Sequence, residues 1–306
     1  MRENPVGESK MGLLYLREGV QTYAVRYLHS TIQKTHTHSF FELVFVLDGE
    51  AVHVSPAGRE PIRRGDVLVL RPGVWHGYEE CRELRIYNLC FGAEVLNREL
   101  AWARADMGLG YLLWTGPMAS QRRGVLNAVL PDARLADCLE HLDALAELGS
   151  ESALTHHGDM VARLTLSLSV VAREAATARE SAGPTHAAVL GAMRLLEERL
   201  AYPWTLADLA DELHLTSGYL VRLFKSSTGL PPMAYLARHR VEKAAELLLD
   251  TAEPVTQIGR SVGWPDQNYF ARRFKAHFGV TATAYRSQFA KNRAQLKMRP
   301  SGEHAY

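Results

Sequence analysis

Early in the chain, imidazoles and a carboxylate stand at short, even spacings. His36, His38 and Glu42 share parity, so on an extended strand all three would project from one face. Imidazole nitrogens and a carboxylate oxygen suit Zn, Fe, Ni, Cu or Mn, and the donor types alone do not choose among these metals. The same groups would also serve as hydrogen-bonding partners for a small organic molecule, or for one another. Further along come Gly65, Gly73, Trp75 and His76. Trp75 offers a flat face that would stack on a sugar ring, or equally a rim or core aromatic. His29 and His53 read as ordinary surface or strand residues.

The elements that must carry these groups read as strands. Tyr23–Leu28, Phe41–Leu47, Ala51–Ser55, Asp66–Leu70 and Leu84–Phe91 are short and rich in β-branched and aromatic residues. Turn signals at Asp48-Gly49, Pro56-Ala57-Gly58, Arg64-Gly65-Asp66 and Arg71-Pro72-Gly73 separate them. Short strands at regular spacing predict a sandwich or barrel. The run His36-x-His38-x3-Glu42-x6-Gly49, followed by Gly65, Gly73 and His76, resembles the two motifs of a cupin, a small barrel of the jelly-roll type. Two departures are visible: the proline of the second motif is displaced by one, and Glu80 stands where asparagine is frequent. The resemblance implies that His36, His38, Glu42 and His76 match the ligands of metal-binding cupins. It also makes the barrel mouth the expected effector site, with His36, His38, Glu42, Trp75 and His76 as its residues.

The second half carries one pattern twice. The first copy runs Leu209-Ala210, Leu213, Leu215, Tyr219-Leu220, Phe224-Lys225, Gly229, Tyr235. The second runs Ile258-Gly259, Val262, Trp264, Tyr269-Phe270, Phe274-Lys275, Gly279, Tyr285. The offset is 49 residues up to Trp264 and 50 from Tyr269 onward, so the second copy has one extra residue in its turn. Each copy predicts helix, tight turn, helix. Leu206, Leu209, Ala210 and Leu213 follow the spacing of one buried helical face. Thr205 with Asp208 resembles a capping box, and Asp266 is a plausible N-cap. Two short helices joined this way form a helix-turn-helix, whose second helix enters a DNA major groove.

The residues expected to face outward on the two second helices are Ser217, Gly218, Val221, Arg222 and Lys225 in one copy. In the other they are Gln267, Asn268, Ala271, Arg272 and Lys275. Arginine matches guanine and asparagine or glutamine matches adenine, because each presents two hydrogen-bonding atoms to the base edge. Residues 188–286, and within them Ile258-Gly-Arg-Ser-Val-Gly-Trp and Tyr269-Phe-Ala-Arg-Arg-Phe-Lys, resemble the DNA-binding domain of AraC/XylS-type transcriptional regulators. Gly259 and Ala282 depart from that family's usual Ala and Pro. A helical bundle that binds no DNA is the competing reading of this region, and the duplicated motif weighs against it. Charge agrees: residues 185–306 hold 16 Lys+Arg against 11 Asp+Glu, whereas the preceding residues hold 19 against 23. A basic end on a near-neutral protein fits phosphate contact.

These readings combine into an α+β chain of two domains. Residues 1–174 are expected to form a cupin-like β-barrel with packed helices that binds an effector and dimerises, with 1–10 as an arm. Residues 175–186 read as a linker, and 187–306 as an all-α domain with two helix-turn-helix motifs. Stripes at Leu135, Leu139, Leu142 and Ala146, and at Val161, Leu164, Leu168 and Val171, predict a helix pair that covers the barrel or makes the dimer. Three scattered cysteines suggest no disulfide framework, no apolar run suits a membrane span, and a cytoplasmic homodimer is expected. Its partners would be a double-stranded operator, a small effector of sugar type and, for an activator, RNA polymerase. The alternative is a metal-dependent cupin enzyme, a dioxygenase or sugar isomerase, fused to a DNA-binding domain; no further acid–base pair supports it, and no catalytic activity is expected.

Overall fold

The computed structural model of the 306-residue chain describes residues 6–8, 13–16, 22–38, 40–92, 95–96, 98–118, 122–148, 156–177, 186–278 and 280–289. Its first part is built from strands β1 (Val6–Glu8), β2 (Leu13–Leu16), β3 (Thr22–His29), β4 (Gln33–His38), β5 (Phe41–Ser55), β6 (Gly58–Arg63), β7 (Asp66–Leu70), β8 (Trp75–Phe91) and β9 (Val125–Val129). All pairings are antiparallel except that of β2 with β4.

Two long strands organise the sheet. The first half of β5 pairs with β7 and with the end of β8, while its second half pairs with β6 and the start of β8. β8 likewise pairs with β4 at its start and β3 at its end. Bending these shared strands folds one sheet into two facing halves. Val44, Val46, Leu68, Leu70, Ile62, Tyr78 and Ile86 fill the space between them. Strand alternation sends the intervening residues Phe41, Leu43, Phe45, Val67 and Val69 outward, where they join the core under the helices.

Three expectations need correction here. Asp48-Gly49 is not a hairpin turn: β5 runs through it, with register shifts between Val46 and Val52. Gly49 has φ +74°, and a Cβ there would lie 2.2 Å from the Glu83 carbonyl oxygen, so the bulge requires glycine. Val6–Glu8, expected within a mobile arm, pairs with β2. Finally, Gln33–His38, Gly58–Arg63 and Val125–Val129 are strands that alternation alone did not reveal.

Helices α1 (Asp132–Leu148) and α2 (His157–Thr177) pack on the outer sheet face. α1 buries Leu135, Cys138, Leu142 and Leu145; Ala146, expected on that stripe, is exposed. Of the expected linker, residues 175–177 finish α2, 178–185 lie outside the described residues, and His186 caps α3 (Ala187–Glu198). Then follow α4 (Leu206–Glu212), α5 (Ser217–Thr228), α6 (Pro232–Asp250), α7 (Val255–Ser261), α8 (Gln267–Phe278) and α9 (Ala282–Phe289). Gly279 of the repeated pattern lies outside the described residues. Among the described residues, no helix is long and apolar enough to cross a membrane.

Candidate functional site

The histidine cluster forms between the two sheet halves. His36 and His38 lie on β4, but Glu42 lies on β5, so a bend rather than one strand's parity brings the carboxylate to them. His76 on β8 is the direct register partner of His36. Glu42 Oε2 stands 3.3 Å from His38 Nε2 and 3.1 Å from His76 Nε2. His36, Glu42 and His76 each offer one ligand atom within 4.8 Å of the others.

Neighbouring groups set the donor atoms. His38 Nδ1 donates to the Phe40 carbonyl at 2.6 Å, and His36 Nδ1 to the Lys34 carbonyl at 3.1 Å. A carbonyl can only accept, so in each neutral ring Nε2 carries the bare lone pair. Asn88 donates to Glu42 Oε1 at 2.6 Å, which leaves Oε2 for the histidines. His38 Nε2, Glu42 Oε2 and both nitrogens of His76 are buried and lack hydrogen-bond partners: the close approaches above are not aligned as hydrogen bonds. Burial pushes the His38 pKa down to about 4 against the pull of Glu42, and holds His76 well below the usual imidazole value. Neutral imidazoles with unmatched lone pairs around a carboxylate are what a divalent cation requires, and such second contacts orient ligands in known metal sites. The residues present therefore fit a metal.

His38, Glu42 and His76 have side chains at most 2% exposed, and their donor atoms are closer together than a sugar ring would need. His36 is half-buried, and the close spacing of the set suits an ion. Trp75 stands apart from the set. It is adjacent to His76 on a strand and so points the other way; its Nε1 donates to the Phe278 carbonyl at 2.7 Å, and its ring packs on the core of the second helix-turn-helix.

His53, given no role by the sequence, belongs to the cluster. It is 1% exposed, its ring centroid lies 5.7 Å from that of His76, and its Nε2 has no partner. Burial lowers its pKa to about 4. The β5 bulge shifts alternation, so an odd-numbered residue shares the inner face with Glu42; parity counted straight through the strand gives the wrong side.

The outer faces of β4 and β8 touch the helical half. Tyr285 of α9 donates to the Gly73 carbonyl at 2.9 Å, and its hydroxyl lies 3.3 Å from that of Thr37. Gly73, at φ +80°, fits so tightly that a Cβ would come 3.1 Å from that of Ala245 on α6. Arg71 Nε donates to Glu242 Oε2 at 3.1 Å, and Arg71 Nη1 donates to the Leu113 carbonyl at 2.6 Å.

The two reading helices keep their outer faces open. Gly218, Arg222 and Lys225 on α5 are exposed, with Ser217 and Val221 half-buried. Asn268, Ala271, Arg272 and Lys275 on α8 are exposed. Gln267 is half-buried, and its amide donates to the Thr256 carbonyl at 2.9 Å. Tyr219 and Tyr269, at 42% and 40% exposure, stand on the same faces and were missed because their place in the repeat suggested core. Thr216 caps α5, and Asp266 Oδ1 accepts from the amides of Asn268 and Tyr269.

A helix-turn-helix domain model matches residues 209–288, and a model of the AraC-like ligand binding domain matches residues 19–164. This chain belongs to the AraC/XylS family of transcriptional regulators. It is 27% identical over 259 residues to the HTH-type transcriptional activator RhaR of Mannheimia succiniciproducens, covering 84% of this chain and 88% of that protein. It is 28% identical over 262 residues to RhaR of Pectobacterium atrosepticum, covering 83% and 86%. Unsaturated fatty acid-bound ToxT from Vibrio cholerae has a similar structure, with TM-score 0.52 over 90% of this chain and 98% of that one. At 16% identity this last likeness speaks to the fold alone.

Proposed function

We propose that this AraC/XylS regulator is a transcriptional activator whose histidine cluster holds a divalent transition metal and whose second reading helix senses that cluster's state. One observation carries this reading. β4 and β8 place His36, His38 and His76 on their inner face and Thr37 and Trp75 on their outer face, against α8 and α9. A change in how the histidines are held must pass through the strands that seat the second unit. Such coupling needs a bound state that favours one seating over the other.

His36, His38, Glu42 and His76, with His53 beside them, would hold the metal; Zn, Fe, Ni, Mn and Cu all accept these donors. Bound there, the ion supplies a cross-link between β4, β5 and β8. The exposed side chains of α5 and α8 would read an operator in successive major grooves, about 34 Å apart on one DNA face. A homodimer would double that contact, a sugar-type molecule would serve as effector, and RNA polymerase would be the partner in activation. The activator reading draws support from the RhaR relatives, which are HTH-type transcriptional activators.

Elemental analysis of protein purified without added metal tests the cluster. About one equivalent of a transition metal is expected, falling below a tenth in His76→Ala, with a chelator lowering both Tm and operator affinity. Metal-free protein that binds operator unchanged would remove the proposed coupling.

A further inference from the structure

The two helix-turn-helix units share one long helix, α6, but not one apolar core. Tyr235 and Leu236 of α6 belong to the core of the first unit, whereas Ala237, Val241 and Ala244 belong to that of the second. The border between the cores therefore crosses α6. Two units packed on separate stretches of one helix keep their distance along it but can pivot about it. Whatever stops that pivot must reach both.

Arg240, on α6 at this border, does so. Its Nε donates to the Leu200 carbonyl at 2.9 Å and its Nη2 to the Tyr202 carbonyl at 2.7 Å. Those carbonyls lie in the turn that leads from α3 into the first unit, where Trp204 joins the first core and Thr205 caps α4. Its Nη1 donates to the Gly263 carbonyl at 3.0 Å, in the turn between α7 and α8 of the second unit. The guanidinium carbon also stands 5.8 Å from the ring centre of Trp264 in that turn. Gly263 has φ +90°, and a Cβ there would come within 2.7 Å of the guanidinium and 2.9 Å of the Ala201 carbonyl oxygen. The turn of one unit thus presses directly on the entry to the other, with the guanidinium between them.

Arg240 is only 7% exposed. Burying a cation is costly unless its donors are matched. Here one planar fork spans three carbonyls, which the compact ammonium of a lysine does not do. Packing alone would be served by an apolar side chain of similar length, so the use of the fork lies in what it joins.

We propose that Arg240 is a positioning residue for DNA recognition: it locks the rotation between the reading helices α5 and α8, and so makes the operator's internal spacing part of what the protein selects. One base pair added between the two segments that a subunit contacts shifts one of them by about 3.4 Å and turns it by about 35°. A locked pair of helices cannot follow that displacement, whereas a pair free to pivot about α6 can.

The full-length wild-type chain is used to select a duplex from a library of randomised DNA, and hydroxyl-radical footprinting marks the two segments that a subunit covers. Two further duplexes carry one base pair more or one fewer between those segments. Wild type is expected to bind them about thirtyfold more weakly than the selected duplex, because one helix then meets the wrong base edges. Arg240→Met keeps an apolar stem and removes the fork. Its affinity for the selected duplex should fall while that for the altered duplexes holds, so that the ratio drops to about threefold or less, a pivoting pair meeting all three spacings alike. Arg240→Lys, which keeps the charge without the fork, should give a ratio in between, and it carries the test if circular dichroism shows the methionine variant unfolded. A purely structural role would lower all three affinities in proportion and leave the ratio unchanged. The proposal is overturned if the folded variant keeps the wild-type ratio, or if wild type itself does not distinguish the three spacings.

Discussion

The two helix-turn-helix units are copies in sequence but not in setting. Leu209, Leu220 and Phe224 of the first belong to one continuous apolar core with Phe41, Leu164 and Leu168. Ile258, Phe270 and Phe274 of the second form a separate core, to which the barrel contributes the flank of Trp75. The first unit opens with a reciprocal cap, Thr205 accepting from the Asp208 amide and Asp208 from the Thr205 amide. The second opens at Pro254 with no side-chain cap. Duplicating a motif thus did not duplicate its attachment: one unit is fused to the sensor, and the other leans on it through a few directed contacts.

Acid should expose this difference most. His38, His53 and His277 each have a pKa near 4 in the folded chain, with burial the first cause. Below about 6.5 the unfolded chain takes up these protons and the folded one does not, so their contribution is full above that pH and is lost as pH falls toward about 4. Each such shift is worth on the order of 3 kcal/mol. All three lie in the second unit or in the barrel strands. Hydrogen exchange is expected to show α8 and α9 losing protection before α4 and α5; simultaneous loss would mean the units are coupled more tightly than their cores suggest.

Core truncation comes next. Phe224→Ala and Phe274→Ala each remove a fully buried ring, at a cost of ~3–5 kcal/mol. Calorimetry should show the first lowering a single main transition, and the second splitting off an early transition that leaves the sensor intact.

At the reading faces the effects are smaller. Arg272→Ala should cost ~1–3 kcal/mol on the specific operator and relax preference at one base pair. Lys275→Ala should weaken all sequences alike and flatten the salt dependence. Binding titrations on a randomised operator library separate the two outcomes. The smallest effect is expected from Trp75→Phe, which keeps a ring against the second core but removes the donor to Phe278. A loss of about 1 kcal/mol, confined to exchange in α8 and α9, would mark this bond as part of the seat.

Much of this arrangement was legible in the sequence, for identifiable reasons. The helical units were, because apolar spacing, caps and outward polar residues repeat at a nearly fixed offset. So was the gathering of His36, His38, Glu42 and His76, because their types are unusual on strands. Other features depended on backbone geometry that composition hides. The bulge at Gly49 turned two expected strands into one and brought His53 inward. The alternation that put His36 and His76 inside put Trp75 outside, where only tertiary contact shows what it meets. Glu242 and Arg71 are 171 residues apart, and nothing local to either announces the other.

The unbroken core beneath the first unit has a consequence for protein engineering. Cutting the chain near 178–185 and exchanging its front for another sensor would divide one apolar cluster, because Val189, Met193 and Leu196 belong to it together with Leu135 and Leu168. A chimera made at that seam would inherit half a wall. Moving α3 with the front would only shift the break, because Leu209, Leu220, Phe224 and Tyr235 belong to that cluster too.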